Sequence, residues 1–476
     1  MPIAGLKITT YLSLFNHINI MALVTLDRPE KLEKCGVVGV FSKSGRDVAP
    51  LIHRGLLALQ HRGQDAAGFS ISDTKSIITK KGTGLVLEVF SEKDLEVEGP
   101  IGIGHTRYRT VGLSRECDIQ PFTSENIAIA HNGQIINYED LKGEVERRGH
   151  QFLSSVDSEL ILHLIREKIA DGIENAIRTL MISVDGAYSV VAIVENRLVA
   201  FRDKFALRPL VYGENEDFIC FASETVALDL VGVRHMGDVS GGELITVDSN
   251  GFQRKWIEKS DPHHCMFEYV YFARPNSIIN GLNVYEVRRK LGEVLAEEQP
   301  ANADIVVAIP ETSRIAAQAF ASKLGIPLED GLLRNQFAFR TFIMPTQQER
   351  NEGVRLKFSA VPSVIQGRRV VIIDDSIVRG TTTKEIVKMV REAGAREIHV
   401  RVTCPQITAP CFYGIDMSTY EELIANQKTL DEIRDYIGAN SLGYLSINGL
   451  KKAIGVSLCT GCLDSLYPSP KLAITK

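Results

Sequence analysis

Two α/β domains in tandem are what this sequence predicts, the second built on a parallel sheet, and three observations carry it. The chain has 476 residues, too long for one ordinary core. From residue 35 to about Lys259, short apolar stretches recur between Gly- and Asp-rich turns. From about residue 280, apolar strand-length runs alternate with amphipathic helical segments, the pattern of a parallel sheet covered by helices.

Taken in order, GVVGVF (36–41), AAGFSI (66–71), AYSVVAIV (187–194) and LVAFR (198–202) are strand-length apolar runs in the first half. VAPLIHRGLLALQHRG (48–63) and VDSELILHLIREKIADG (156–172) place apolar residues at helical spacing. The polar, turn-rich EKSDPHHC (258–265) marks a boundary. Beyond it, helix EVRRKLGEVLAEE (286–298) precedes strand DIVVAIP (304–310), and helix SRIAAQAFASKLG (313–325) follows. Strand RRVVIIDD (368–375), a Gly/Thr turn, helix TTKEIVKMVREAG (382–394) and strand EIHVRV (397–402) complete the alternation. The expected division is a leader 1–34, domains 35–260 and 261–425, and a tail 426–476 of short helices.

Composition narrows the function. A hydrophobic share of 44% and a charged share of 24% are those of a soluble globular protein. A net charge of −5 gives no basic surplus for nucleic acid. Apolar runs such as Val370 to Ile373 are far too short to span a bilayer. Residues 11–25 are mildly apolar but broken by Asn16, His17 and Asn19, which is not a secretory signal. Met21 is an alternative start. A cytoplasmic location is therefore expected, and there the eight cysteines stay thiols, with metal or catalytic roles for a few.

Cys35 stands directly before an apolar run, in EKCGVVGV. Alone it reads as a buried core cysteine. HRGQDAAG (61–68), GHTRYRT (104–110), HNGQIINY (131–138) and SSVDSE (154–159) change that, being polar, Gly-rich and set between strands, where a scaffold carries function. With Cys35 they resemble the glutaminase domain of class II glutamine amidotransferases, over roughly residues 35–260. The resemblance implies an N-terminal-nucleophile fold with αββα layers, and removal of the leader so that Cys35 becomes the first residue. A free α-amino group, with a pKa of about 7.7–8.0, can then serve as base for the thiol. It further implies that Cys35 attacks the glutamine amide and that Asn132 and Gly133 form the oxyanion hole. Arg107 would hold the substrate carboxylate and Asp157 its ammonium. His61 and His105 are expected to be structural.

VVIIDDSIVRGTTT (370–383) joins a buried strand, two acids, a Gly/Thr loop and a helix start. Such a loop presents backbone N–H groups and a favourable dipole to phosphate, with hydroxyls from Ser376, Thr381 and Thr382. Asp374 and Asp375 suit ribose hydroxyls, directly or through Mg²⁺. No Lys follows Gly380 at P-loop spacing. The segment resembles the ribosyl-donor signature of type I phosphoribosyltransferases. This implies that Asp374 and Asp375 contact the ribose and its Mg²⁺, that residues 376–382, including Gly380, cradle the 5′-phosphate, and that Thr312 supplies a metal-side hydroxyl. The polar segment 340–357 is long and irregular, more often functional than accidental. In this resemblance it closes over the donor, with Arg340 and Lys357 as candidate diphosphate contacts.

Together, in this order, the two halves resemble the amidophosphoribosyltransferase family over nearly all of residues 35–468. That implies a pentosyltransferase of purine (IMP) synthesis. Glutamine, phosphoribosyl diphosphate and water would give 5-phosphoribosylamine, glutamate and diphosphate, with ammonia passing inside the protein. Purine-nucleotide feedback and a homotetramer come with the resemblance. Cys459-Thr-Gly-Cys462 is a chelating pair by spacing, and Cys265 and Cys411 are single and distant. Four thiolates suit zinc or an iron–sulfur cluster, and spacing does not choose. The local motifs resemble the branch carrying a [4Fe–4S] cluster. Cys117, Cys220 and Cys404 are left as structural. The rival function is a catalytically inactive regulator that senses the ribosyl donor, against which Cys35, Arg107, Asn132, Asp157 and the acid pair all argue.

Overall fold

The computed structural model describes residues 35–108, 115–335, 353–415, 417, 419–470 and 472. In the first half the chain lays down β1 (Gly36–Ser42), β2 (Ala66–Ser72), β3 (Ile77–Thr83) and β4 (Ile101–Arg107), then β5 (Phe122–Ser124), β6 (Ile127–Ile135), β7 (Gly186–Val194) and β8 (Arg197–Arg202). It continues through β9 (Val211–Glu214), β10 (Phe218–Ala222), β11 (Arg234–Asp238), β12 (Glu243–Asp248) and β13 (Gly251–Trp256). These form a seven-stranded sheet, β11-β9-β10-β1-β4-β2-β3, and a six-stranded sheet, β13-β12-β8-β7-β6-β5.

The central strands β1, β4 and β7 are buried along their whole length. This explains why β1 and β7 read as continuous apolar runs rather than alternating ones, whereas β4 takes in GHTR (104–107), part of a segment expected to lie between strands. The two sheets face each other through Val37 and Ile103 on one side and Ala130, Val191 and Ile245 on the other. Helices cover both outer faces. Ala49–Ala58 and Thr225–Val231 pack on the first sheet through Ile52, Leu56 and Leu228. Ser158–Lys168 and Ile173–Ser183 pack on the second through Leu160, Ile161 and Ile177. The result is the αββα layering that the sequence led us to expect.

The second half contributes β14 (His264–Cys265), β15 (Ile278–Ile279), β16 (Leu282–Asn283), β17 (Ile305–Ala308), β18 (Leu332–Arg334), β19 (Phe358–Ala360), β20 (Arg369–Asp374), β21 (Glu397–Val402), β22 (Ser441–Tyr444) and β23 (Leu458–Cys459). Strands β17-β20-β21-β22 form one sheet, parallel throughout. Helices Val284–Glu298, Arg314–Leu324, Thr381–Glu392 and Leu430–Ile437 bury their apolar sides in a core shared with that sheet.

The tail departs from its expected helical character in two places. Residues 441–444 add β22 to the sheet edge, with Leu442 opposite Val400 and Tyr444 opposite Val402. Residues 458–459 form β23, which pairs in parallel with β14. Among the described residues no helix is long and apolar enough to cross a membrane.

Candidate active sites

Cys35 immediately precedes β1, and the antiparallel register of β1 on β4 pairs Gly36 with Thr106. One step further along that register lies Arg107, at the end of β4. Arg107 is almost fully buried, and its guanidinium donates to the carbonyl of Asp118. Asp118 in turn accepts from the backbone N–H of Ser155 at 3.1 Å. Burial opposes its charge, but Arg115 and that N–H outweigh burial and hold its carboxyl well below the usual range. Arg107 is thereby tied to the turn that carries Asp157. Asp157 accepts from the Ile135 N–H at 2.7 Å, at the end of β6. Arg107 and Asp157 form no ion pair with one another, so one cation and one anion face this end of the domain separately.

Between them on β6 sit Asn132 and Gly133. The Asn132 side chain is 4% exposed, and its Nδ2 has no hydrogen-bond partner. A buried amide donor without a partner carries a desolvation cost of about 1–3 kcal/mol. Gly133 has φ +148°, and a Cβ there would lie 1.9 Å from the Ala187 carbonyl oxygen, so no other residue fits. Behind these two, Gln120 donates to the His131 carbonyl (3.2 Å) and to Ser158 Oγ (3.0 Å), and Ser158 Oγ lies 2.8 Å from His131 Nδ1.

His105 is fully buried on β4, with neither ring nitrogen in a hydrogen bond of normal geometry. Burial first, then Arg107 and His131, depress its pKa to about 3. His61 places Nε2 2.7 Å from Glu224 Oε1 and Nδ1 3.1 Å from the Ala58 carbonyl.

Residues with no expected role lie just behind Cys35. Arg62, 1% exposed, donates from Nε to the Cys35 carbonyl at 3.1 Å. The rest of its guanidinium is held by Glu224 and, through two bonds of 2.7 and 2.8 Å, by Glu268. Glu224 also accepts from the Arg274 N–H (2.9 Å) and Ser277 Oγ (2.6 Å). Burial disfavours the Glu224 charge, but His61 and Arg62 outweigh it and hold the carboxyl below its ordinary range. Arg62 lies within HRGQDAAG (61–68), but its partners stand 162 and 206 positions away, and no local signal announces them.

The second site lies at the carboxyl ends of β17, β20 and β21, where open parallel sheets bind ligands. The Ile309 N–H donates to the Ile373 carbonyl, which sets the 309–313 turn beside Asp374. Asp374 Oδ1 accepts from the Asp375 N–H at 2.9 Å, and Oδ2 accepts from Thr383 Oγ1 at 3.1 Å, fixing the acid to the first turn of helix Thr381–Glu392. Asp375 Oδ1 accepts from Ser376 Oγ at 2.8 Å. Gly380 is the N-cap of that helix with φ +75°, and Thr381 and Thr382 open its first turn. Arg379 pairs with Glu422 at 3.2 Å, bracing the loop from outside. In the 309–313 turn Thr312 is half-buried, while the hydroxyl of its neighbour Ser313 is used internally, donating to the Ile309 carbonyl. Lys357 sits with its ammonium 5.2 Å from the Phe358 ring centre. Arg340, most of the 340–357 loop and the leader 1–34 lie outside the described residues.

The comparisons bear on both sites. A glutamine amidotransferase domain model matches residues 105–230, and a phosphoribosyl transferase domain model matches residues 280–440. An amidophosphoribosyltransferase of Methanothermobacter thermautotrophicus is 46% identical over 459 residues, spanning 94% of this chain and 96% of that protein. The chain belongs to the amidophosphoribosyltransferase family. Members of this family are pentosyltransferases that carry out the first step of purine biosynthesis. The Bacillus subtilis amidophosphoribosyltransferase is 42% identical, across 92% of this chain and 94% of its own length. A solved B. subtilis enzyme of this family, complexed with ADP and GMP, superposes with a TM-score of 0.84 at 41% identity, covering 91% of this chain and 97% of that one.

All four cysteines expected to be ligands, Cys265, Cys411, Cys459 and Cys462, line one cavity together with Arg208, Tyr413 and Tyr467. The Tyr413 N–H points at Cys411 Sγ from 3.4 Å. Backbone N–H groups of Phe267 and Gly461 similarly favour charge on Cys265 and Cys459. Burial nevertheless pushes the Cys265 thiol up to about 12. A bare thiolate is therefore unfavourable there without a bound cation. Among the described residues no three His, Cys, Asp or Glu side chains gather closely enough to hold a single metal ion.

Proposed function

We propose that the two sites act in sequence on glutamine and phosphoribosyl diphosphate, with Cys35 as nucleophile and the Asp374–Asp375 loop as the ribosyl-donor cradle. The observation that carries this is the buried, unpartnered Asn132 amide beside a Gly133 that admits no side chain. It is a preformed donor awaiting an acceptor.

Arg107 holds the substrate carboxylate, since a guanidinium matches it in bidentate fashion. Asp157 holds the ammonium, so free glutamine is selected over a bare amide. The Cys35 thiol adds to the side-chain amide carbon, and the new oxyanion accepts from Asn132 Nδ2 and the Gly133 N–H. Collapse expels ammonia and leaves a thioester, which water opens to glutamate. Cys35 needs a base, and a free α-amino group on Cys35 itself supplies one. The active chain therefore begins at Cys35. An active enzyme whose intact mass still includes residues 1–34 would sink this.

At the second site Ser376, Gly380, Thr381 and Thr382 cradle the 5′-phosphate, and Asp374 and Asp375 orient the ribose. Ammonia attacks the anomeric carbon and diphosphate leaves. A Mg²⁺ ion fits Asp374, Asp375 and Thr312, because a carboxylate retains acceptor capacity beyond the hydrogen bonds it already accepts. Such an ion would supply positive charge against the departing diphosphate.

The four thiols around one cavity suit a [4Fe–4S] cluster better than zinc. Zinc needs its ligands gathered about one ion, whereas these enclose a shared space. A colourless protein holding stoichiometric zinc overturns that assignment. The thiols, with no disulfide among the described residues, fit a reducing cytoplasm. The ADP and GMP complex of the B. subtilis relative supports purine nucleotides as feedback ligands here too. Assembly as a homotetramer rests on family likeness and is read by sedimentation.

Anaerobic assay with amide-¹⁵N-glutamine tests the whole reading. The label should appear in phosphoribosylamine, and Cys35→Ala should abolish that while leaving ammonia-dependent synthesis. A wild-type enzyme that releases no glutamate is instead a donor-sensing regulator.

A further inference from the structure

The cysteine cavity does not sit within the second half alone. The loop carrying Cys411 runs directly against the glutaminase half. Gly414 has φ +90°, and a Cβ there would lie 3.2 Å from the Gly133 carbonyl carbon, 3.3 Å from Gln134 Cβ and 3.2 Å from Arg208 Nη2. A side chain there would press the cysteine loop and the oxyanion strand apart by a few tenths of an ångström.

Arg208 stands at the same junction. It lines the cysteine cavity, is 3% exposed, and lies within electrostatic reach of Cys265 and Cys411. Its Nη2 donates to the Tyr413 carbonyl at 3.0 Å, gripping the cysteine loop. Its backbone carbonyl accepts from Ser189 Oγ at 2.9 Å and from Arg202 Nε, anchoring it to the glutaminase sheet. On the other side its Nη1 reaches Glu268 Oε1 at 3.5 Å. Glu268 is 2% exposed and holds Arg62, which holds the Cys35 carbonyl. The path from cavity wall to nucleophile is thus three buried side chains long, all charged. Its links are directional bonds rather than apolar contact.

We propose that Arg208, with Gly414 packed beside it, is a positioning residue for the glutaminase reaction. It fixes the Cys35 backbone through Glu268 and Arg62, and seats the cysteine-bearing loop against the oxyanion strand. This rests on the glutaminase roles proposed above for Cys35, Asn132 and Gly133. Arg208 touches neither substrate nor reacting atoms. Its contribution is to hold two parts of one site, the thiol and the oxyanion donors, in a fixed relation to a third element, the cysteine cavity. A lysine would keep the positive charge but could not hold Tyr413 and Glu268 together, because its ammonium is a single point on a flexible stem. An alanine at 414 would press on the Gly133 backbone and adopt an unfavourable φ.

The test uses the full, cofactor-loaded enzyme under anaerobic conditions, comparing wild type with Arg208→Lys and Gly414→Ala. Four quantities are read: kcat and KM for glutamine, kcat with ammonium chloride in place of glutamine, the rate of Cys35 alkylation by 6-diazo-5-oxo-L-norleucine followed by peptide mass, and iron content. Misplacing reacting groups by up to about 1 Å lowers rates by up to about a hundredfold. Glutamine-dependent kcat and Cys35 alkylation should fall together by such a factor, with KM for glutamine moving less. Ammonia-dependent turnover should stay within about twofold of wild type, and iron content should be unchanged. Equal loss of both activities in the two variants, or alkylation at the wild-type rate, overturns the proposal. Should Arg208→Lys fail to fold, Gly414→Ala decides alone. A wild-type enzyme in which the reagent labels some residue other than Cys35 overturns the underlying site assignment instead, and is distinguishable because it appears before any variant is made.

Discussion

Asn132 is destabilising by its own geometry, a buried amide with no acceptor for Nδ2. In the proposed mechanism the same feature becomes useful when an oxyanion forms. Asn132→Ala should therefore separate stability from activity. Glutamine-dependent kcat should drop by about a hundredfold to a thousandfold. Ammonia-dependent synthesis should persist, and the thermal midpoint should hold or rise, since the orphan donor is gone. Steady-state assays with each nitrogen source, plus calorimetry, check all three. His105 makes a second residue-level case. Its folded pKa of about 3 lies below the ordinary histidine value. The unfolded chain thus binds the extra proton between those values, and the stability contribution is complete above pH ~6.5 and is lost as pH falls towards 3. Between pH 7 and pH 5 wild type should lose about 2 kcal/mol more than His105→Leu. Parallel pH–melting curves of the two proteins read the difference, and superimposable curves would contradict it.

At the scale of elements, the proposed ribosyl-donor site is a strand end pinned to a helix start. Asp374 belongs to β20 and Thr383 to the helix that follows, and their 3.1 Å bond sets the loop between them. Asp375→Asn should lower phosphoribosylamine formation from glutamine and from ammonia alike, by at least about a hundredfold, as expected when transition-state charge loses its partner. Glutamate release measured without the ribosyl donor should not fall, and a matching fall in it would argue for a folding defect. This pinned loop was legible because VVIIDD joins an apolar run buried on both sheet faces to two acids, and the helix start supplies its own signals. The paired sheets were legible for the same reason: β1 and β7 are buried throughout and read as unbroken apolar runs. β22 was not. SLGY is four residues with a glycine and no alternation, and becomes a strand only because β21 offers it a parallel edge. The Arg62–Glu268 and Arg208–Glu268 bonds were illegible for a related reason. Each joins segments far apart in sequence, so the charges read locally as surface residues, though all three are buried.

Over the whole molecule, the two halves are held together by polar links as much as by apolar packing. Glu268 bonds Arg62, Ser277 Oγ bonds Glu224 at 2.6 Å, Arg208 Nη2 bonds the Tyr413 carbonyl at 3.0 Å, and Ser469 Oγ bonds Asp185 at 2.8 Å. The cysteine cavity is the centre of that junction rather than a clasp on the tail alone. Metal–thiolate bonds add directly to folding free energy. With the proposed [4Fe–4S] cluster in the cavity, Cys459→Ser should lower iron content, and raise hydrogen exchange both in residues 456–470 and in β6 and β7 of the glutaminase half. Exchange confined to the tail would limit the cavity to a local role.

The pairing of β14 with β23 has a consequence for how the protein is made. Cys265 leaves the ribosome early, while its strand partner Cys459 emerges only after nearly the whole second half has been synthesised. Until then the Cys265 strand is bonded only on its other side, to the carbonyls of Phe205 and Leu207, and two of the four thiols do not yet exist. Closing this short pair is thus among the last events of synthesis, and it coincides with completion of the cavity. A nascent chain that stops before Cys459 leaves β14 without β23 and the thiol set half built.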